Sequence, residues 1–127
     1  MTNHLKIGEL GENLACDYLI KKGYKILFRN YRRPWGEIDI VVRVPDCTLA
    51  FVEVKTIQAK EAGEEKFSPE ENVTFAKMSK MRRMIEGFVP ENQSLLDSRR
   101  GYRADLIAIL LRKNDSEVLD IRHYESI

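Results

Sequence analysis

The stretch Gly36–Val44, GEIDIVVRV, followed after Pro45-Asp46-Cys47 by Thr48–Ile57, TLAFVEVKTI, decides how this chain is read. Both segments are rich in β-branched residues and read as strands, yet acids and a lysine interrupt them. Successive side chains of a strand point to opposite faces. Ile38, Ile40 and Val42 then share one face, and Glu37, Asp39 and Val41 the other. On the next strand Val52 and Val54 share one face, and Phe51, Glu53 and Lys55 the other.

With PDC as a three-residue turn, Val44 stands opposite Thr48. Counting outward puts Asp39 opposite Glu53 and Glu37 opposite Lys55. Like charges directly opposed weaken a sheet, and two adjacent carboxylates resist simultaneous ionisation. A divalent cation between them reverses the penalty. Hard oxygen ligands suit magnesium or manganese rather than zinc. A plainer reading stands beside this one: a solvated sheet face with Glu37 and Lys55 as a cross-strand pair, or a register one residue different.

Outward from the hairpin, residues 4–22 carry helical spacing through Leu5, Gly8, Glu12, Ala15, Cys16 and Leu19, ending at Gly23. Residues 24–31 read as a strand, and RRPWG as a turn. Residues 58–69 have no stable period and read as a mobile loop that orders on binding a ligand. A second helix is expected over 70–88, its apolar face made by Val73, Met81, Met84, Ile85 and Phe88, with Gly87 and Pro90 stopping it. RADLIAILLR and EVLDIRHY complete the set as strands. Helix, three strands, helix and two strands, without a repeat or internal boundary, predict one α/β domain over 1–127: a mixed five-stranded sheet flanked by helices.

Glu12 falls inside the apolar stripe of the first helix, where an unpaired carboxylate is costly. It either reaches water near the helix start or joins Asp39 and Glu53 as a third acid; Glu9 lies at the stripe's edge. Lys77 intrudes in the same way among Val73, Met81 and Met84. It either snorkels outward or faces a phosphate bound over the sheet. Lys80, Arg82 and Arg83 extend that charge for backbone contacts. Arg29, Arg32, Arg33 and Arg43 are candidates to grip neighbouring phosphates, with ordinary surface roles as the alternative. Three carboxylates and a lysine together suit metal-assisted phosphodiester hydrolysis, with Lys55 orienting the attacking water and stabilising charge on the phosphoryl oxygens.

Composition bounds the rest. The chain has 127 residues, 43% hydrophobic and 32% charged, with a formal net charge of +1, so a polyanion site must come from local arrangement. Cys16 and Cys47 form no paired motif and are expected to pack as small apolar residues. His4 and His123 belong to no metal spacing and read as surface or packing histidines. No membrane span or secretory leader is read, so a cytoplasmic protein is expected. Tyr18, Tyr24, Tyr31, Trp35 and Tyr102 could stack on bases or simply pack, Trp35 being the one to test.

A helix acid, a strand Asp and Glu-x-Lys resemble the PD-(D/E)xK, restriction-endonuclease-like nucleases. More closely, GELGENLACDYLIKKGYKILFRNYR, GEIDIV, FVEVK and RADLIAI, spanning Gly8 to Ile109, resemble the YraN family of bacterial proteins. The pairing of GEID with FVEVK is specific, whereas a lone Glu-x-Lys is weak. That family is similar to archaeal Holliday junction resolvases. The resemblance implies a restriction-endonuclease-like fold in the order αβββαββ. It also implies a magnesium- or manganese-dependent endonuclease acting on branched or structured DNA, and a homodimer that cuts opposing strands. Glu12, Asp39 and Glu53 match the metal-binding acids and Lys55 the catalytic lysine. Glu37 belongs to the GEID string with a less defined role. Arg103 and Asp105 match a later Arg-x-Asp, whose alternative is a buried ion pair. Ile38 replaces the usual proline, and Ile57 stands where an arginine is usual. A non-catalytic nucleic-acid-binding module on the same fold is the alternative, and a scaffold with a purely structural acidic pocket is a third.

Overall fold

The computed structural model describes residues 4–61 and 74–127, with side chains from Lys6 onward. Expectations for the side chains of His4 and Leu5 lie outside this description, as do those for Val73 and the rest of 62–73. The element order is α1 (His4–Lys21), β1 (Lys25–Arg33), β2 (Gly36–Arg43), β3 (Leu49–Ala59), α2 (Phe75–Glu91), a 3-10 turn (Gln93–Leu95), β4 (Tyr102–Arg112) and β5 (Val118–Tyr124). The strands lie in sequence order in one sheet. β3 and β4 are parallel, and the other neighbours antiparallel. This is the restriction-endonuclease-like arrangement of a mixed five-stranded sheet with flanking helices, αβββαββ.

The helices bury the two sheet faces separately. Ala15, Cys16 and Leu19 of α1 pack on Ile40, Val42, Val52, Ile107 and Ile109. Met81, Met84, Ile85 and Phe88 of α2 pack on Tyr31, Ile38, Val41, Leu49 and Phe51. The Phe88 ring meets Tyr31 and Phe51 edge-on at 5.0 and 5.2 Å between centroids. Burying one such side chain contributes about 1.5–3 kcal/mol. α1 lies close over β3 at Gly11, where an added Cβ would collide with the Thr56 hydroxyl. α2 begins at Thr74, whose side chain accepts from the Lys77 N–H at 3.2 Å.

The β2–β3 turn forms as the spacing predicts: Val44 N–H donates to the Thr48 carbonyl at 2.8 Å. Cys47, at φ 75°, supplies the left-handed residue that such turns need. It is therefore exposed rather than packed, while Cys16 is buried. Three further expectations are corrected. β3 continues to Ala59, two residues into the expected loop, paired with β4 as far as Arg112. α2 runs past Gly87 and through Pro90 to Glu91. Its end is anchored because Glu91 accepts from Tyr31 Oη at 2.8 Å and Arg33 Nη2 at 2.7 Å.

The third correction matters most. Ile38 does not share a face with Ile40 and Val42. It lies in the α2-side core, and they lie in the α1-side core. The β1–β2 register nonetheless runs unbroken from Arg29–Ile40 to Tyr31–Ile38. Asn30, at φ 53°, and Asp39 therefore act as one inserted residue in each strand. Pairing survives, while the inside–outside alternation reverses.

Candidate metal centre

That reversal assembles the site. It turns Glu37 toward the α1 side of the sheet, where the close approach at Gly11 brings Glu12 down to meet it. Oxygen atoms of Glu12, Glu37 and Asp39 all lie within 4.8 Å of one another. Oriented with its nitrogen toward the acids, the Asn30 amide donates to Glu12 Oε1 at 3.0 Å and Glu37 Oε1 at 2.8 Å. The Asp39 carboxylate accepts the Val54 N–H at 2.8 Å. This bond lies just beyond Ile40–Val52, where the β2–β3 ladder ends. Glu37 therefore does not pair with Lys55; it takes Arg32 Nε at 3.1 Å across β1.

Two cavities meet at Glu37. On the α1 side a cleft of about 640 Å³ is lined by Glu9, Glu12, Arg29, Asn30, Arg32 and Glu37, among others. On the α2 side a smaller cavity of about 120 Å³ is lined by Glu37, Asp39, Glu53, Lys77, Lys80 and Met84, among others. Glu53 thus shares the smaller cavity with Asp39 and Glu37, while Glu12 lines the larger one. Lys55 is not among the described lining residues of either cavity; it stands exposed two residues beyond Glu53.

The electrostatics fit a cation. Burial pushes Asp39 up to about 7, against the Val54 hydrogen bond, and the charges of Glu12, Glu53 and Glu37 add to the rise. Glu12 is raised by burial and then by Glu37, with Arg29 and Arg32 opposing. The donors are all carboxylate oxygens, the set that magnesium and manganese prefer. A divalent ion would remove the mutual repulsion that now raises these groups.

The remaining candidates separate clearly. Lys77 and Lys80 face the acids across the smaller cavity. Arg83 is exposed. Arg82 lines a different groove, with Met78, Ile85, Tyr102 and Ile127. Arg33 is engaged, bonded to Glu91 and Tyr31 and stacked 4.2 Å from the Tyr31 centroid. Arg43 donates to the Leu95 carbonyl at 2.9 Å.

Arg103 and Asp105 form a buried network away from the acids. Asp105 is fully buried and accepts from Arg103 Nε at 3.0 Å and the Ser126 N–H at 3.0 Å. His123 Nε2 lies 2.8 Å from its other oxygen. His123 is thus a packing histidine, edge-on to Tyr18 and Tyr24.

With this geometry in view, likeness to known chains becomes informative. Residues 11–109 match the model of a family described as Uncharacterised protein family UPF0102. The chain belongs to the UPF0102 family. A UPF0102 protein of Caldicellulosiruptor bescii is 39% identical over 109 residues, 86% of each chain. One of Corynebacterium efficiens is 42% identical over 127 residues, 99% of this chain and 94% of its own. One of Thermodesulfovibrio yellowstonii is 34% identical over 119 residues, 94% of this chain and 95% of its own. The matched span of this UPF0102 chain includes Glu12, Asn30, Glu37, Asp39, Glu53 and Lys55. No helix among the described residues is long and apolar enough to cross a membrane.

Asn30 and the place of Glu37 were missed by strand alternation. The available signal was Asn30 itself: asparagine is depleted in strands and tolerates the left-handed region.

Proposed function

We propose that this chain is a metal-dependent phosphodiesterase, an endonuclease that cuts branched or otherwise structured DNA in the cytoplasm. The whole of 1–127 serves as one nuclease-like domain. The observation that carries the reading is the meeting of Glu12, Glu37 and Asp39 within 4.8 Å, where burial and neighbouring acids disfavour the ionised forms of Glu12 and Asp39. Those three residues would hold magnesium or manganese, with Glu53 completing the acid set. The bound ion supplies an activated water and neutralises charge on the phosphate.

The chain's own groups do the rest. Lys77 and Lys80 draw a phosphate into the smaller cavity beside Asp39 and Glu53. Arg29 and Arg32 line the larger cleft and hold the continuing backbone. Lys55 reaches the scissile phosphate from the far side of Glu53 and stabilises its growing charge. Similarity to PD-(D/E)xK enzymes and Holliday junction resolvases supports this assignment and a homodimer with two centres. Lys55's exposure outside both cavities favours a second reading, a nucleic-acid-binding module without catalysis.

Cleavage of labelled branched, duplex and single-stranded DNA and RNA with magnesium or manganese separates the two. The nuclease reading expects cutting that Asp39→Ala and Lys55→Ala both abolish. Salt-sensitive binding without cutting in all three proteins would establish the module instead.

A further inference from the structure

The chain has a single tryptophan, Trp35, and it is 51% exposed at the tip of the β1–β2 hairpin. A single exposed aromatic ring is ordinary on a protein surface, so only its placement can assign it a role. This one is held in place. A methyl group added at Gly87 would lie 3.8 Å from Trp35 Cζ2, so the indole rests against α2. The next residue, Gly36, is pressed on Met84, where an added Cβ would meet the sulfur at 3.1 Å. The hairpin tip is therefore braced on the helix by two glycine contacts, with the ring edge inward.

Its position relative to the acids is defined by α2. Lys77, Lys80, Met84 and Gly87 fall at spacings of three and four residues, on one stripe of the helix. Lys77, Lys80 and Met84 line the acid-bearing cavity with Gly36; Trp35 sits one turn further along the same stripe. At 1.5 Å per residue, Lys80 to Gly87 spans about 10 Å, the length of about three stacked nucleotides. Phosphate-holding lysines and a braced indole thus lie in line beside the acids.

We infer that Trp35 is a stacking site for an unpaired nucleobase about three nucleotides from the phosphate held at Lys80. The inference rests on the nucleic-acid half of the proposed function and names the substrate feature that the site selects. Within continuous duplex both faces of every base are covered by neighbours. A ring at a hairpin tip gains a partner only where the stack is interrupted, at a single strand, flap, branch or end. An aromatic that stacks on one base strengthens binding without reading its identity, so selection is by strand shape.

Trp35 is its own reporter, because no other tryptophan contributes to the fluorescence. The full chain is titrated in EDTA with a short thymidine oligonucleotide, and with a long loop-free duplex in which ends are a small share of the sites, following tryptophan emission and fluorescence anisotropy of the labelled nucleic acid. Saturable quenching by the single strand is expected, on the same curve as its anisotropy. Trp35→Ala should weaken single-strand binding about 10-fold, Trp35→Phe should recover most of it, and duplex binding should change less than about 2-fold. Matching thermal midpoints for both variants exclude misfolding. Binding without quenching, or equal loss for single strand and duplex, overturns the stacking site and leaves the nuclease reading intact. A Trp35→Ala effect on self-association alone assigns the ring to a protein interface and overturns it too. Quenching without metal-dependent cleavage keeps the stacking site and removes catalysis; no binding of any nucleic acid removes both.

Discussion

Asp39 and Asp105 are both aspartates on interior strands, and burial pushes the carboxyl group of each upward, yet they end on opposite sides of the ordinary value. Asp39 rises to about 7, with one backbone N–H opposing burial and three other acids reinforcing it. Asp105 is the less accessible of the two, but hydrogen bonds from His123, the Ser126 N–H and Arg103 outweigh burial and hold it low. The difference lies in the partners and not in the depth. A buried acid with a full set of donors is a structural clamp, here tying β4 to β5 and the chain end. A half-buried acid among other acids has no such set of donors, and a cation would supply the missing positive charge.

The sharpest break of this comparison is Asp105→Ala. It strands Arg103 and His123 and should cost about 3–5 kcal/mol, read as a shift in urea midpoint. Asp39→Asn should instead leave the metal-free protein as stable as wild type or more so. An Asp39→Asn variant less stable than Asp105→Ala would dissolve the distinction.

Next in size is the response to pH. The folded-state value of Asp39, about 7, lies above its unfolded value of about 3.9, so the folded chain holds the proton more tightly. That contribution is complete below the unfolded value and is lost as pH rises through the folded one. Metal-free protein should therefore lose on the order of 3 kcal/mol between about pH 4 and 8 from this group, and Asp39→Asn should flatten the slope. Asp105 has the opposite sign: its contribution is present above its unfolded value and is lost as pH falls through the lowered folded one. Urea melts in EDTA across pH separate the two limbs.

Gly11→Ala probes how Glu12 reaches the sheet. Its Cβ meets the Thr56 hydroxyl, so the substitution should cost about 1–3 kcal/mol. Adding Thr56→Ala should recover part of that in a double-mutant cycle. The smallest effect on folding is expected from Asn30→Gly, which removes the amide but keeps the left-handed backbone at φ 53°, under about 1 kcal/mol. The same change should weaken manganese affinity about 10-fold, because the amide orients two of the acids.

How much of this was legible in the sequence follows from what periodicity encodes. Helix and strand order, the Val44–Thr48 turn and the inward placement of Glu12 all rest on repeating patterns or turn chemistry. Each recurs over several residues. The switch at Asn30 and Asp39 rests on one residue per strand. Ile38, Ile40 and Val42 look identical under either phase, because both sheet faces are apolar and each offers the isoleucine a core. No hydrophobic penalty marks the slip, so Glu37 was assigned to the wrong side and paired with Lys55. The continuation of α2 through Pro90 was hidden for a different reason. It depends on Glu91 meeting Tyr31 and Arg33, residues some sixty positions away. Arg33 itself shows the limit of charge counting: its guanidinium is already engaged.

The central claim is that Glu12, Glu37 and Asp39 form a divalent-cation centre, and calorimetric titration with manganese across pH 6–8 tests it most directly. Because the acids must ionise to bind, affinity should climb as pH passes about 7. It should disappear in Asp39→Asn and survive in Lys55→Ala. Absence of binding at every pH, or binding that Asp39→Asn leaves unchanged, would contradict the account.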